Sequence, residues 1–245
     1  MSERLSLTLF AHVAARPEAE LDLAEAALLV GEVEGPSLDL APSTQALSAL
    51  FAGARAAVAR AKSDEARLER AVRFVYDEAG FHGNEDDYYD PRNSFLHEVI
   101  GRRTGIPITL AVVLIEVCRS AGVDARGVSF PGHFLVRSDT PRGTILVDPF
   151  AGRPLAREEL RALHKRASGN DKDPPAGLLD AATKAQILTR ILNNLRGIYE
   201  SRNDEARLRR VLERLQVLTP SEPLRQKIAE LGGSPPWRSG GAGLN

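Results

Sequence analysis

Cysteine occurs once in 245 residues, at Cys118, so no intrachain disulfide can brace the fold. That usage fits a reducing compartment, and the location expected from it is cytoplasmic. Long apolar runs are also missing. No stretch approaches the ~18 uninterrupted apolar residues of a membrane span. The apolar run at residues 5–15 is broken by Ser6, Thr8 and His12, follows Glu3 and precedes no clean cleavage context, so it is not read as a signal peptide. An excess of one charge is absent as well. Thirty-two basic residues against 33 acidic ones leave a net charge of −1, with no region that would neutralise a phosphate backbone. Arg207, Arg209, Arg210 and Arg214 cluster, but Asp204, Glu205 and Glu213 sit among them, which reads as a solvated helix face. Neither nucleic acid nor membrane is therefore an expected partner.

Metal and cofactor motifs are lacking too. His12, His82, His97, His133 and His164 are scattered, and none stands in the i, i+4 pair with a neighbouring Glu that metalloproteases use. His97-Glu98 lacks its second His. No Gly-rich phosphate loop is present, so the expected cofactor is none.

What remains is an ordinary globular composition, 43% hydrophobic and 27% charged, long enough for one large domain or a domain with an appendage. Residues 18–80 read as helices. Pro42 and Ser43 open one whose apolar positions Leu47, Leu50, Phe51, Ala54 and Val58 share a face. Ser63, followed by Asp64 and Glu65, is an N-cap for a second, with the stripe Leu68, Ala71, Val72, Val75 and Ala79 and with Gly80 placed to end it. Residues 81–93 form a polar loop rich in Gly, Asn, Asp and Tyr, and a short helix over 94–103 is closed by Gly105. Pro107 suits a first helical position, because its missing N–H costs nothing there. Residues 110–117 are then apolar except Glu116, so the helix over about 108–120 is enclosed on nearly all sides and central to the domain.

After Gly122 the pattern turns to strands: 126–130, 133–137 and 144–147, the last two joined by a turn around Pro141. Pairing that hairpin about its turn sets His133 opposite Asp148. Beyond a short helix and a polar linker over 167–176, Ile187, Leu188, Ile191, Leu192, Leu195, Ile198 and Tyr199 mark one amphipathic helix. Leu208, Val211, Leu212, Leu215 and Leu218 mark its partner across a turn near Asn203. A helix pair of this length matches one tetratricopeptide unit, which cannot bury its own apolar faces and needs the core, the segment 222–231 or a partner to do so. Residues 232–245, Gly-, Ser- and Pro-rich with Trp237, are expected to be disordered.

Several motifs in order resemble the SirB-type transglutaminase-like family. They are Gly83-Asn84 with Asp87-Tyr88-Tyr89-Asp90-Pro91-Arg92-Asn93-Ser94-Phe95-Leu96, then Arg103-Thr104-Gly105-Ile106-Pro107-Ile108-Thr109-Leu110, Phe130-Pro131-Gly132-His133-Phe134-Leu135-Val136-Arg137, and Asp148-Pro149-Phe150. The runs Glu25-Ala26-Ala27-Leu28-Leu29-Val30 and Leu192-Asn193-Asn194-Leu195-Arg196 also fit, so the likeness covers about residues 20–230. The resemblance implies an α+β fold with a papain-like core, in which a central helix packs on a small antiparallel sheet, with N-terminal helices and a C-terminal tetratricopeptide-like hairpin. The domain plan expected is 1–80 for the N-terminal helical part of the core, 81–166 for the transglutaminase-like core, 177–231 for the tetratricopeptide-like region and 232–245 for the tail.

Active members of that superfamily place a Cys at the N-terminus of the central helix, a His on one strand and an Asp on the next. The helix end lowers the thiol pKa, the His takes its proton and the Asp orients the His. His133 and Asp148 match the last two roles. In active relatives the Cys follows Gly at Gly-x-Cys, about fifteen residues before the Gly that ends the helix. Here that spacing falls on Pro107, after Gly105.

Cys118, at the far end of the helix, is expected to be inert, and Thr109 to support the helix cap rather than attack. His133 and Asp148 read as an inherited structural pair, with surviving chemistry on water as the rival. Tyr88, Tyr89, Asp90 and Asn93 read either as a locked wall of the cleft or as a recognition surface. The expected function is thus a non-catalytic transglutaminase-like protein that binds a protein or peptide or regulates one, Pro107 replacing the nucleophile. The alternative is a hydrolase or transferase in which His133 and Asp148 work with water or a substrate hydroxyl. A scaffold role in a larger assembly is a third possibility, and the oligomeric state stays open.

Overall fold

The computed structural model describes residues 3–35 and 38–232. The stretch 233–245, almost all of the expected disordered tail and including Trp237, lies outside the described residues. In chain order the helices are α1 (Glu3–Ala14), α2 (Leu23–Val30), α3 (Ala41–Val58), α4 (Asp64–Arg73), α5 (Leu96–Arg102), α6 (Pro107–Ser120), α7 (Arg157–Ser168), α8 (Lys184–Ser201), α9 (Glu205–Leu218) and α10 (Glu222–Glu230). The strands are β1 (His82–Gly83), β2 (Thr104–Gly105), β3 (Arg126–Val128), β4 (Leu135–Thr140), β5 (Gly143–Asp148) and β6 (Arg153–Pro154). This is the α+β fold expected, a helix-rich chain with small sheets. No helix among the described residues is long and apolar enough to cross a membrane.

The chain folds as two compact units, Asp39–Ile187 and Met1–Leu38 with Leu188–Asn245. Helices α1 and α2 fall in the same unit as α9 and α10.

In the unit Asp39–Ile187, α6 packs against α3, α4 and α5 and against strands β3 and β4. All its residues from Pro107 to Cys118 are buried, as a helix apolar on every side requires. Its one buried charge, Glu116, is held by Arg119 one turn on. The Ser63 hydroxyl caps α4 by accepting from Ala66 N–H at 3.2 Å. α4 runs on as a π-helical turn, Phe74–Glu78, before ending at Gly80. α5 ends not at Gly105 but on Arg103, whose φ of 59° gives the left-handed stop; its guanidinium lies 4.7 Å from the Phe81 ring centre. Gly105 instead pairs with Gly83 in the short parallel ladder of β1 and β2.

The second sheet has the order β3-β4-β5-β6, antiparallel throughout. Its hairpin register is Val136 opposite Val147 and Arg137 opposite Leu146, two residues from the one expected. The first strand stops at Val128 and the second starts at Leu135, so Phe130 and His133 lie in the connection between them. A two-residue shift keeps every side chain on its face, because strand side chains alternate with period 2.

In the other unit, the broken apolar run at the N-terminus becomes α1, which buries Ser6, Leu7, Phe10 and Val13 on one face. α1 packs against α2 and α9, and α10 packs against α9. The turn between α8 and α9 carries Asn203 at φ 52°, a conformation Asn tolerates. The Arg cluster of α9 is not the solvated face expected of it. Arg209 and Arg210 bind Glu3, Arg207 binds Glu34, and Arg214 is 2% exposed. Arg214 donates to the Ser6 hydroxyl at 2.8 Å, and Ser6 donates in turn to the buried Glu32 carboxylate. Burial pulls the Arg214 guanidinium down to about 10, against the opposing pull of Glu32.

Removing one partner of such a network leaves the other charge buried alone, at a cost of about 3–5 kcal/mol. Arg214→Ala is therefore expected to lower the unfolding free energy by about that amount in urea titrations, and a loss within the ~1 kcal/mol typical of exposed pairs would contradict the buried-network reading.

Candidate functional site

Pro107 stands at the start of α6, buried, where no backbone N–H is needed. Around it the first turn is fixed by the Thr109 hydroxyl. Thr109 Oγ1 accepts from Ile106 N–H at 3.3 Å and donates to the Asn93 carbonyl at 2.6 Å. Thr109 thus caps the helix, as expected, and also ties it to the loop before α5. A Cβ on Gly105 would lie 2.9 Å from that hydroxyl, and one on Gly83, its ladder partner, 2.6 Å from the Phe150 ring. Both close approaches require glycine.

Asn93, fully buried, organises the loop. Its Nδ2 donates to the carbonyls of Asp87 at 2.7 Å and Tyr88 at 3.3 Å, while its Oδ1 accepts from Asn84 at 3.0 Å and Arg102 at 3.3 Å. Asp90 is buried as well. It caps the turn at Arg92 N–H and grips the Arg92 guanidinium. Burial pushes its carboxyl up, yet the Arg92 hydrogen bonds outweigh that and hold it below the usual range. Tyr88 and Tyr89 stay at the surface, packed edge to face with ring centres 5.4 Å apart, and Tyr88 lies 6.1 Å from Phe150. The four loop candidates therefore divide, Asp90 and Asn93 locked within and the two tyrosines exposed.

His133 and Asp148 come together as expected, with His133 Nε2 3.0 Å from Asp148 Oδ1 and both side chains about one-seventh exposed. The contact is diagonal across the sheet's edge rather than directly opposed, which the even register shift permits. Asp148 Oδ1 also accepts from Phe150 N–H at 2.8 Å and Ala151 N–H at 3.2 Å. Burial raises this carboxyl, but His133 and the two N–H groups prevail and leave it below the usual Asp value. With Nε2 turned to the carboxylate, Nδ1 is the ring atom through which any proton transfer would run.

Cys118 is fully buried and lies about 16 Å along the axis from the start of α6 at 1.5 Å per residue. Burial, aided by Asp124, pushes its thiol up to about 12. The sequence reading passed over two hydroxyls. Ser94 is 1% exposed, and its Oγ has no hydrogen-bond partner among the described residues. Tyr76, on the π-helical turn, has a buried hydroxyl also without one; burial, and then the Asp148 charge, push its phenol well up. An α-helical stripe through Val75 and Ala79 hides Tyr76, because only the extra residue of a π turn rotates it inward. Among the described residues no group of three or more His, Cys, Asp and Glu side chains is placed to hold a metal ion.

Comparison with known proteins matches a stretch close to the unit Asp39–Ile187. The sequence profile of the transglutaminase-like superfamily matches residues 42–193. A UPF0162 protein of Xylella fastidiosa is 38% identical over 227 residues, covering 91% of this chain and 81% of its own length. A UPF0162 protein of Pseudomonas aeruginosa is 31% identical over 198 residues, covering 81% and 72%. F-box only protein 21 of Mus musculus is 46% identical over 68 residues, which are 27% of this chain and 11% of that protein.

Two outcomes follow from this geometry. Thr109→Val strands the Ile106 N–H and the Asn93 carbonyl in the interior, so it should cost about 1–3 kcal/mol in urea unfolding; a cost near zero would mean that the hydroxyl does not hold the helix start. Asp148, with its folded pKa depressed, contributes stability that is present above the unfolded value of about 3.9 and is lost as pH falls through the lower folded value. The stability gap between the natural chain and Asp148→Asn should therefore shrink on acidification below about pH 4, and a gap that widened there would reverse the sign assigned to the pair.

Proposed function

This chain belongs to the transglutaminase-like superfamily and to its UPF0162 branch, and from that footing we propose that it is a member without acyl-transfer chemistry, serving as a protein-binding or regulatory module. The observation that carries the reading is Pro107 at the buried start of α6, the place at which active relatives carry the thiol. A nucleophilic cysteine needs a thiolate near neutral pH, and the one thiol here is sealed in the core and pushed the opposite way. Thr109, the nearest hydroxyl in sequence, is already bonded at both ends of its reach.

In this reading His133 and Asp148 are a brace. They join the entry of β4 to the turn after β5, and Phe150 carries that turn onto Gly83 and the β1–β2 ladder. A module of this kind presents surface rather than chemistry. That a stretch of the sequence recurs within F-box only protein 21, as a small fraction of a much longer chain, suits such a use. The helices α8 and α9, as a tetratricopeptide-like hairpin, are the second surface we assign to partner binding.

Two measurements on the full chain test this. Iodoacetamide should leave Cys118 unmodified until the protein unfolds. His133→Ala should lower the urea midpoint without abolishing any hydrolysis or amine transfer on glutaminyl peptides and esters, because the natural chain has none to lose. Turnover by the natural chain that disappears in a folded His133→Ala protein would overturn the proposal in favour of a reaction run through water or a substrate hydroxyl.

A further inference from the structure

Resting on that reading, we infer that the Tyr88–Tyr89 edge is a docking surface for a peptide segment bearing lysine or arginine. Among the described residues the exposed large hydrophobic side chains are few, and these two are the aromatic ones, Tyr88 at 43% and Tyr89 at 74%. Exposed aromatic pairs cost hydrophobic surface in water and are what interfaces favour, since a tyrosine offers a large contact area for only two rotatable bonds.

The loop that carries them is held from within. Asn93 fixes the carbonyls of Asp87 and Tyr88, and Asn84 Oδ1 accepts from Asp87 N–H at 3.0 Å. A surface so anchored loses little conformational freedom when it is covered, which is the main saving in a preformed site. The ring of Tyr89 lies edge to face with that of Tyr88 and is 74% exposed.

Charge sets the partner. Glu85, Asp86 and Asp87 precede the pair directly and are exposed. The cation nearby in sequence, Arg92, is taken up by Asp90. Acids beside tyrosine rings suit an ammonium or guanidinium group, which gains both the carboxylate field and a cation–π contact. The same acids repel the phosphates of nucleic acid and the anionic headgroups of a lipid surface, so the segment is peptide. Tyr88 adjoins Phe150, whose N–H binds Asp148, so a peptide laid on this edge borders the His133–Asp148 brace.

The test is fluorescence anisotropy on the full chain, with a short fluorescein-labelled peptide alternating Lys and Ser and a twin carrying Glu for Lys. The Lys peptide should bind, more weakly at high salt, and the Glu twin should not. Glu85→Lys with Asp86→Lys should weaken binding roughly tenfold at low salt, and Tyr89→Ala about threefold. Glu69→Lys with Glu158→Lys, the same change in net charge at other exposed positions, should leave it within about twofold. Equal weakening by the two charge variants, or no preference for the Lys peptide, would overturn the inference. Anisotropy reads binding alone, so that failure leaves the non-catalytic reading standing; His133-dependent cleavage of the bound peptide would end that reading and leave the docking surface in place.

Discussion

A helix enclosed on every side must satisfy its first turn without water, and α6 does so with an imino acid and a hydroxyl. Pro107 brings no N–H to the turn, and Thr109 takes the Ile106 N–H while giving its own proton to the Asn93 carbonyl. From this joint the remaining geometry of the unit follows. Asn93 holds the loop that ends in the tyrosines, Gly105 carries the chain from the β1–β2 ladder into the helix, and Gly83 across that ladder receives the Phe150 ring. A larger residue at either glycine would force the joint apart.

The pairing of His133 with Asp148 joins this framework through Phe150, whose N–H binds Asp148 and whose ring approaches Gly83. Asp148 ends β5, and its carboxylate accepts two turn N–H groups before it meets the imidazole. A carboxylate so occupied is a rigid support. In an enzyme it would orient a base toward a nucleophile; on the reading proposed above, the same geometry stabilises the passage from one strand to the next. The bonds that Asp148 accepts from the turn contribute to folding whether or not a substrate arrives.

Much of this was legible in the residues. The apolar stripe of α3, the Ser63 cap, the enclosed α6 and the meeting of His133 with Asp148 all follow from local spacing. What escaped depended on tertiary context. Arg103 supplies a left-handed stop that glycine usually makes, because its guanidinium settles on Phe81. The hairpin register moved by two, a shift that hydrophobic alternation cannot detect since it preserves the face. Tyr76 was hidden by a π turn. Arg214 looked like part of a charged surface until Ser6 and Glu32, some 180 residues or more earlier in the chain, enclosed it. No periodicity connects residues so far apart.

The central proposal is that Pro107 fills the place of a nucleophile that the histidine–aspartate pair would otherwise serve. It is tested most directly by putting sulfur back, with Pro107→Cys in a Cys118→Ala background and alkylation rates measured across pH, with and without His133→Ala. The account predicts a thiolate that forms well below the ordinary value of about 8.5 and a shift back toward that value once the imidazole is removed. An alkylation profile unchanged by the loss of His133 would contradict it.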